Sequence, residues 1–209
     1  MKPISAPNKE EFAALLEACS PDTNIGVRNR AILSTLYWGA LRSQELVDLL
    51  VKDFEPAKRR LTITRGKGGK LRIVGTPQPM IDTVSLWLAK REKLEKLNGC
   101  KILFPTLRAT KLATAYLRQM LYDHCEKAGI KQYSPHSLRH AAAINLMNEG
   151  FGVTEIQNIL GHSLPATTLL YLSRLNIENV LDRQAQLRGR GGGEGATQSE
   201  GRRQGRRHY

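Results

Sequence analysis

The sequence predicts a mainly α-helical α+β domain with one small antiparallel β-sheet, on three observations. Apolar residues recur at helical spacing along most of the chain, with capping and stop residues at the ends of the runs. One stretch breaks that rhythm, with two short β-rich runs (Leu61-Thr62-Ile63-Thr64 and Leu71-Arg72-Ile73-Val74) around the glycine-dense turn Gly66-Lys67-Gly68-Gly69. From Arg188 onward the composition turns to Gly and Arg with almost no aliphatic residue, which cannot offset the entropy of ordering. Residues 1–187 are therefore expected to fold as one domain and 188–209 to form a disordered basic tail. A chain of 209 residues is long enough for one full-sized core.

The elements follow in order. Asn8 and Glu11 have the spacing of a capping box, and Phe12, Leu15, Leu16 and Cys19 then recur on one helical face. A second helix is expected over Val27 to Trp38, ended by Gly39. A third starts near Ser43, with Leu46, Leu49 and Leu50 on its buried side. After the hairpin, helical periodicity returns over Met80 to Leu97 and over Leu112 to Ala128, the latter stopped by Gly129. Pro135 suits a first helical turn and opens a helix through His136 to Asn148, with Gly150 beyond. Shorter helical pieces are expected over Val153 to Leu160, Thr167 to Tyr171 and Asn176 to Gln184.

Charge narrows the partner. Thirty-two Lys and Arg against nineteen Asp and Glu give a net +13 and a pI near 10.0. The tail, with six Arg and two Glu, holds +4 of this, so +9 belongs to the folded part. Such an excess favours nucleic acid or an acidic membrane surface. No apolar run is long enough to span a bilayer, and the N-terminus (MKPISAPNKEE) lacks a signal-peptide stretch. Three cysteines without CxxC spacing argue for reduced thiols rather than a disulfide framework or zinc ribbon. A cytoplasmic protein is expected, with no membrane partner.

Five local signals bear on chemistry. In Gly39-Ala40-Leu41-Arg42-Ser43-Gln44-Glu45-Leu46, Arg42 opens a helix and Glu45 lies one turn on. Taken alone the pair reads first as a surface ion pair, and second as an Arg aimed into a site and held by Glu45. Lys67 sits in a glycine turn that lacks the GK[ST] and following helix of a P-loop. It is either solvated or able to reach a phosphate or groove. In Pro135-His136-Ser137-Leu138-Arg139-His140, His136 and Arg139 face the same way at a helix start. His136 and His140 also have zinc-ligand spacing, but Ser137 stands where a metalloprotease needs Glu and no third ligand is evident. An imidazole and a guanidinium at a helix N-terminus suit a phosphate better. His162 follows a helix end in Leu160-Gly161-His162-Ser163, where a capping role is the ordinary one. Tyr171, nine residues later, reads by periodicity as a core aromatic.

Taken together, Arg42, Lys67, His136-x-x-Arg139, His162 and Tyr171 form an ordered set, and from about Asn8 to Arg183 the sequence resembles the tyrosine recombinases of the phage integrase family. The family's motifs stand here as GALRSQEL, the GKG hairpin, HSLRH, LGHS and the tyrosine beyond it. The resemblance implies the catalytic-domain fold of that family and a site-specific DNA recombinase acting through a 3′-phosphotyrosine, with integration, excision or inversion as the outcome. It implies that Arg42 and Arg139 hold the non-bridging oxygens of the scissile phosphate. His136 is then the general base, His162 a second imidazole on the phosphate, Lys67 the general acid and Tyr171 the nucleophile. Glu45 is expected to orient Arg42, while His140 has no assigned role beyond that of a buried, hydrogen-bonded His.

No metal, nucleotide or redox cofactor is required by this chemistry. The implied partner is double-stranded DNA with paired half-sites, bound by a homotetramer whose free form is a monomer. Only 41 residues precede Arg42, so the chain also resembles the minimal recombinases of fimbrial phase-variation switches. These lack the N-terminal clamp domain, and dependence on DNA-bending accessory proteins is then expected. Within Leu175 to Leu187, Ile177, Val180, Leu181 and Leu187 suit docking on a neighbouring protomer or packing within the chain. The tail suits nonspecific grip on DNA or a solvated end. Two competing readings are a non-catalytic DNA-binding descendant and a type IB-like topoisomerase.

Overall fold

The computed structural model describes residues 6–64, 71–161, 180–182 and 184–185. Helix α1 (Lys9–Glu17) begins as its capping box dictates: the Asn8 side chain accepts the Glu11 N–H at 2.7 Å, and Glu11 accepts the Asn8 N–H at 3.0 Å. Helix α2 (Asn24–Trp38) starts earlier than expected, because Thr23 caps it by accepting the Gly26 N–H. Eleven of its fifteen residues are buried, so α2 is the central helix, packed against helix α4 (Gln78–Glu92) and helix α6 (Pro135–Asn148). The ring of Phe12 stacks on Tyr37 at 3.6 Å, and Trp38 meets Tyr37 edge-on at 5.0 Å. Trp87 of α4 is fully buried and donates its indole N–H to the Leu103 carbonyl.

Helix α3 (Ser43–Asp48) is one short element. It stops before Leu50, which instead bridges Ile102. The sheet has three antiparallel strands, β1 (Phe54–Glu55), β2 (Arg60–Ile63) and β3 (Arg72–Gly75), in that spatial order. The expected hairpin is β2–β3; β1 is an addition. Leu61 and Ile63 of β2 face Val74 and Arg72 of β3 across the ladder, and this face covers the core. Helix α4 ends at Glu92 rather than Leu97, and only a single 3₁₀ turn (Glu95–Leu97) follows. There Arg91 turns back to donate to the Cys100 and Ile102 carbonyls. Helix α5 (Thr114–Lys127) starts after the buried Leu112, which the periodicity had included.

Two contacts set the entry to α6. The Tyr133 hydroxyl donates to the Glu11 carboxylate, and Ser134 caps the helix by accepting the Ser137 N–H. Further along, Asn145 donates to the Tyr37 hydroxyl at 2.7 Å, fixing α6 on α2. Helix α7 (Val153–Leu160) rests on α6 through a second, smaller apolar cluster of Ala40, Ala142, Ala143, Met147, Ile156 and Leu160. Its alanines bring α7 close to α6 and to the turn between α2 and α3. The hairpin turn with Lys67, the expected piece Thr167 to Tyr171, residues Ile177 and Leu187, and the tail 188–209 lie outside the described residues. Residues 180–182 and 184–185 are helical, overlapping the expected Asn176–Gln184 piece and passing its end by one residue, and Val180 and Leu181 are exposed.

Candidate active site

The α2–α3 connection places the first site residue. Gly39 ends α2 in a right-handed conformation, and the next residue, Ala40, takes φ +52°, a left-handed conformation that an L side chain resists. This reversal starts α3 almost at once, with Arg42 as its N-cap. Glu45 in the first turn accepts the Arg42 backbone N–H at 2.8 Å and Arg42 Nη1 at 2.6 Å. The pair is not on the surface, because the Glu45 side chain is only 3% exposed and Arg42 22%.

Glu45 is the hub of a larger cluster. Arg72 of β3 grips it with a two-pronged fork, Nη1 to Oε1 at 2.6 Å and Nη2 to Oε2 at 2.7 Å. Arg139, one turn into α6 and 2% exposed, brings its Nη1 to 4.0 Å from Oε2. Four N–H groups thus converge on one carboxylate, about the number two oxygens accept. Burial pushes the Glu45 carboxyl up, but the Arg72 fork and Arg42 outweigh it and hold its pKa at about 2. Three guanidiniums against one carboxylate leave a net charge of +2 in a largely dry site. That surplus is suited to an anion.

The C-terminal end of α7 supplies the remaining acceptors. A helix terminus leaves its last carbonyls unpaired and its dipole negative. Here three successive carbonyls each take a different guanidinium: Ile159 accepts Arg72 Nε at 3.1 Å, Leu160 accepts Arg139 Nη2, and Gly161 accepts Arg42 Nη2 at 3.3 Å. Arg139 Nη1 donates to the carbonyl of Ala40. Gly161 has φ +71°, and a Cβ there would sit 3.3 Å from Arg72 Cδ, so glycine allows the chain to lie against this side chain.

His136, at the start of α6, is exposed and stacks edge-on against His140 at 4.7 Å. Partial desolvation of the ring and the positive charges of Arg139 and Arg42 lower its pKa below the usual imidazole value, which favours the neutral form. His140 is lowered further, to about 4, by burial and by His136 and Arg139. Burial, with Arg42 beside it, lowers Arg139 to about 10, still charged at neutral pH. Among the described residues, no third His, Cys, Asp or Glu joins the two histidines in a group able to hold a metal.

Of the sequence-predicted site residues, the structure brings Arg42, His136 and Arg139 together; Lys67, His162 and Tyr171 lie outside the described residues. In sequence, Lys67 comes five residues before Arg72, and His162 directly follows Gly161. Arg72 is the residue the sequence reading passed over. Its signal was present, since strand alternation puts it on the same face as the buried Val74. A cation on the core face of a strand needs a buried partner.

The comparisons agree with the architecture. Residues 8–176 match the phage integrase family. Tyrosine recombinase XerA of Pyrococcus furiosus is 32% identical over 191 residues, covering 89% of this chain and 64% of that protein. Tyrosine recombinase XerD of Pseudomonas putida is 36% identical over 170 residues, covering 78% of this chain and 55% of that protein. The chain therefore spans less than two thirds of the length of these relatives. A crystal structure of XerA superimposes with a TM-score of 0.74 at 31% identity, covering 90% of this chain and 66% of that one. XerH bound to its palindromic difH substrate, in a post-cleavage complex, gives 0.67 at 28% identity, covering 80% and 48%. The mainly helical architecture with one three-stranded antiparallel sheet is thus the tyrosine recombinase catalytic-domain fold, and the chain belongs to the phage integrase family.

Proposed function

We propose that this chain is the catalytic domain of a site-specific DNA recombinase that cleaves and rejoins a phosphodiester through a 3′-phosphotyrosine. Residues 1–187 form that domain and 188–209 a basic tail. The observation that carries the reading is the guanidinium cluster around Glu45, which keeps surplus positive charge in a water-poor site. Attack on a phosphodiester gathers negative charge on the two non-bridging oxygens, and fixed donors at those oxygens stabilise the transition state. Arg42 and Arg139 hold them.

The phenolic oxygen of Tyr171 attacks phosphorus as neutral His136 takes its proton. The phosphorus–oxygen bond to the 5′ side breaks, and Lys67 gives that departing oxygen a proton. His162 donates a hydrogen bond to the phosphate. The covalent phosphotyrosine keeps the bond energy, so a 5′-hydroxyl from a second duplex reverses the step and completes the exchange. Two duplexes call for a tetramer of this chain on paired half-sites, and the net +13 suits neutralising their phosphates. DNA-bound XerH supports the choice of duplex DNA as substrate.

The test is covalent trapping. A pool of nicked duplexes with randomised arms, in which cleavage releases a short 5′-hydroxyl fragment, should yield detergent-stable complexes that Tyr171→Phe abolishes. A wild-type protein that binds DNA without forming such a complex would remove the enzymatic reading. Exchange between two differently labelled duplexes carrying the recovered sequence then distinguishes recombination from relaxation of one duplex.

A further inference from the structure

We infer that Arg72 is a positioning residue for phosphoryl transfer: through Glu45 it sets the Arg42 guanidinium, and through Ile159 it locks strand β3 to the end of α7. The inference rests on the recombinase reading and extends it to a residue outside the predicted set. All three nitrogens of the Arg72 guanidinium are engaged, two on Glu45 and one on the Ile159 carbonyl. Its side chain is 11% exposed, so its work is internal to the protein.

The topology shows what those three bonds connect. Glu45 is 27 residues upstream of Arg72, and Ile159 is 87 residues downstream. Arg72 itself stands two residues beyond the end of the 65–70 segment that carries Lys67, while Ile159 stands three before His162. One planar side chain therefore joins the Arg42 helix, the strand leaving the Lys67 turn and the helix leading to His162. Without it, Glu45 would keep only its contacts to Arg42 and the distant Arg139, and its carboxylate would be free to rotate. Arg42 would then lose the fixed direction that makes it effective against charge developing on phosphate. A lysine in place of Arg72 would keep the charge but not the fork.

The experiment uses the nicked duplex recovered by covalent trapping, in two versions: one with the ordinary scissile phosphate and one with a methylphosphonate, which carries no negative charge there. Single-turnover cleavage is measured for wild type, Arg72→Gln, Arg72→Lys and Glu45→Gln, beside duplex affinity and thermal melting. We expect Arg72→Gln to slow cleavage of the phosphate about 100-fold and Arg72→Lys about 10-fold, with affinity changed less than about threefold. On the methylphosphonate the loss for Arg72→Gln should shrink to about fivefold or less, because less charge needs stabilising. A double variant with Glu45→Gln should be little slower than the slower single variant.

An equal loss on both substrates would mean that Arg72 only supports the fold, and cleavage at the wild-type rate would mean that the clamp is irrelevant; either overturns the inference. Should Arg72→Gln fail to fold, the lysine variant decides, and a wild-type rate there overturns it too. If the wild-type protein forms no covalent complex, the recombinase reading fails and this inference falls with it. A trapped wild-type complex with undisturbed Arg72 variants removes the inference alone.

Discussion

Around Trp87 the chain is held by shape, with buried apolar side chains filling the space between α2 and α4 and the indole N–H meeting one carbonyl. Around Glu45 it is held by charge, with three guanidiniums, one carboxylate and three helix-terminal carbonyls where another protein would place leucines. The first arrangement is non-directional and tolerates small adjustments. The second is directional, set by hydrogen bonds from the three guanidiniums to Glu45 and to the carbonyls of Ala40, Ile159, Leu160 and Gly161. Replacing a buried ionic cluster with apolar residues is often neutral or stabilising, so stability alone does not explain why charge is kept here. The difference teaches where the fold ends and the chemistry begins. The apolar core carries the architecture; the ionic cluster holds a fixed surplus of positive charge, which the proposed function assigns to a phosphate.

Truncating each region should break this comparison open most widely. Trp87→Ala removes a fully buried indole and leaves the Leu103 carbonyl without its donor, so it should cost about 4 kcal/mol. Glu45→Gln leaves the clustered guanidiniums without their counter-charge and should cost about 3 kcal/mol, in the range for breaking a buried pair. Urea denaturation measures both. At equal protein concentration, the surviving folded fraction of Trp87→Ala should still cleave trapped-sequence DNA at close to the wild-type rate, while folded Glu45→Gln should not. Equal residual activity in the two would show that the division between scaffold and site is drawn in the wrong place.

The same division governs what the sequence disclosed. Local devices were legible: the Asn8–Glu11 box and Pro135 at the first turn of α6 are fixed by neighbours three or four residues away. The start of α2 was less so, because buried Arg28 and Asn29 interrupt its apolar rhythm: Arg28 donates to the Pro105 carbonyl and the Tyr116 hydroxyl far along the chain, and the Asn29 side chain accepts from Arg28 and Tyr116. Strand β1 is two residues long and exists only through its pairing with Leu61 and Arg60, so no period-two pattern announces it. Helix α4 stops at Glu92 with neither Gly nor Pro, since the Arg91 contacts that mark the end involve residues nine and eleven positions on. In the site, Arg42 and Glu45 were legible as a pair because they lie one turn apart, but their burial was not. Arg72 escaped because both its partners are remote in sequence.

Acid should separate the regions by a smaller and graded effect. The folded-state pKa of His140, about 4, lies below its ordinary value near 6.5, so its contribution is present above about pH 6.5 and is lost as pH falls toward 4. Glu45, at about 2 against an ordinary 4.5, contributes fully above about pH 4.5 and loses that contribution as pH falls toward 2. The stability gap between wild type and Glu45→Gln should therefore hold from pH 7 to about 4.5 and then narrow by at most about 1.4 kcal/mol per pH unit. The gap between wild type and Trp87→Ala should not narrow, as no titrating group is removed. Parallel losses in both variants across this range would deny the Glu45 cluster its electrostatic character.

The smallest expected effect tests the joint between the regions, at Ala40. This residue belongs to the apolar cluster with Ala142 and Leu160, yet its carbonyl accepts Arg139, and its backbone sits at φ +52°. A left-handed conformation costs an L residue roughly 1–2 kcal/mol that glycine does not incur, partly offset by the greater freedom of glycine in the unfolded chain. Ala40→Gly should therefore stabilise the protein by about 1 kcal/mol, seen as a melting temperature about 2–4 °C higher. The carbonyl stays in place, so cleavage should remain within about threefold of wild type. A melting temperature that falls would mean that the Ala40 methyl, packed against α6 and α7, matters more than the strain. A cleavage rate that falls while stability rises would mean that the stiffness of this turn, beyond its shape, holds Arg139 to its task.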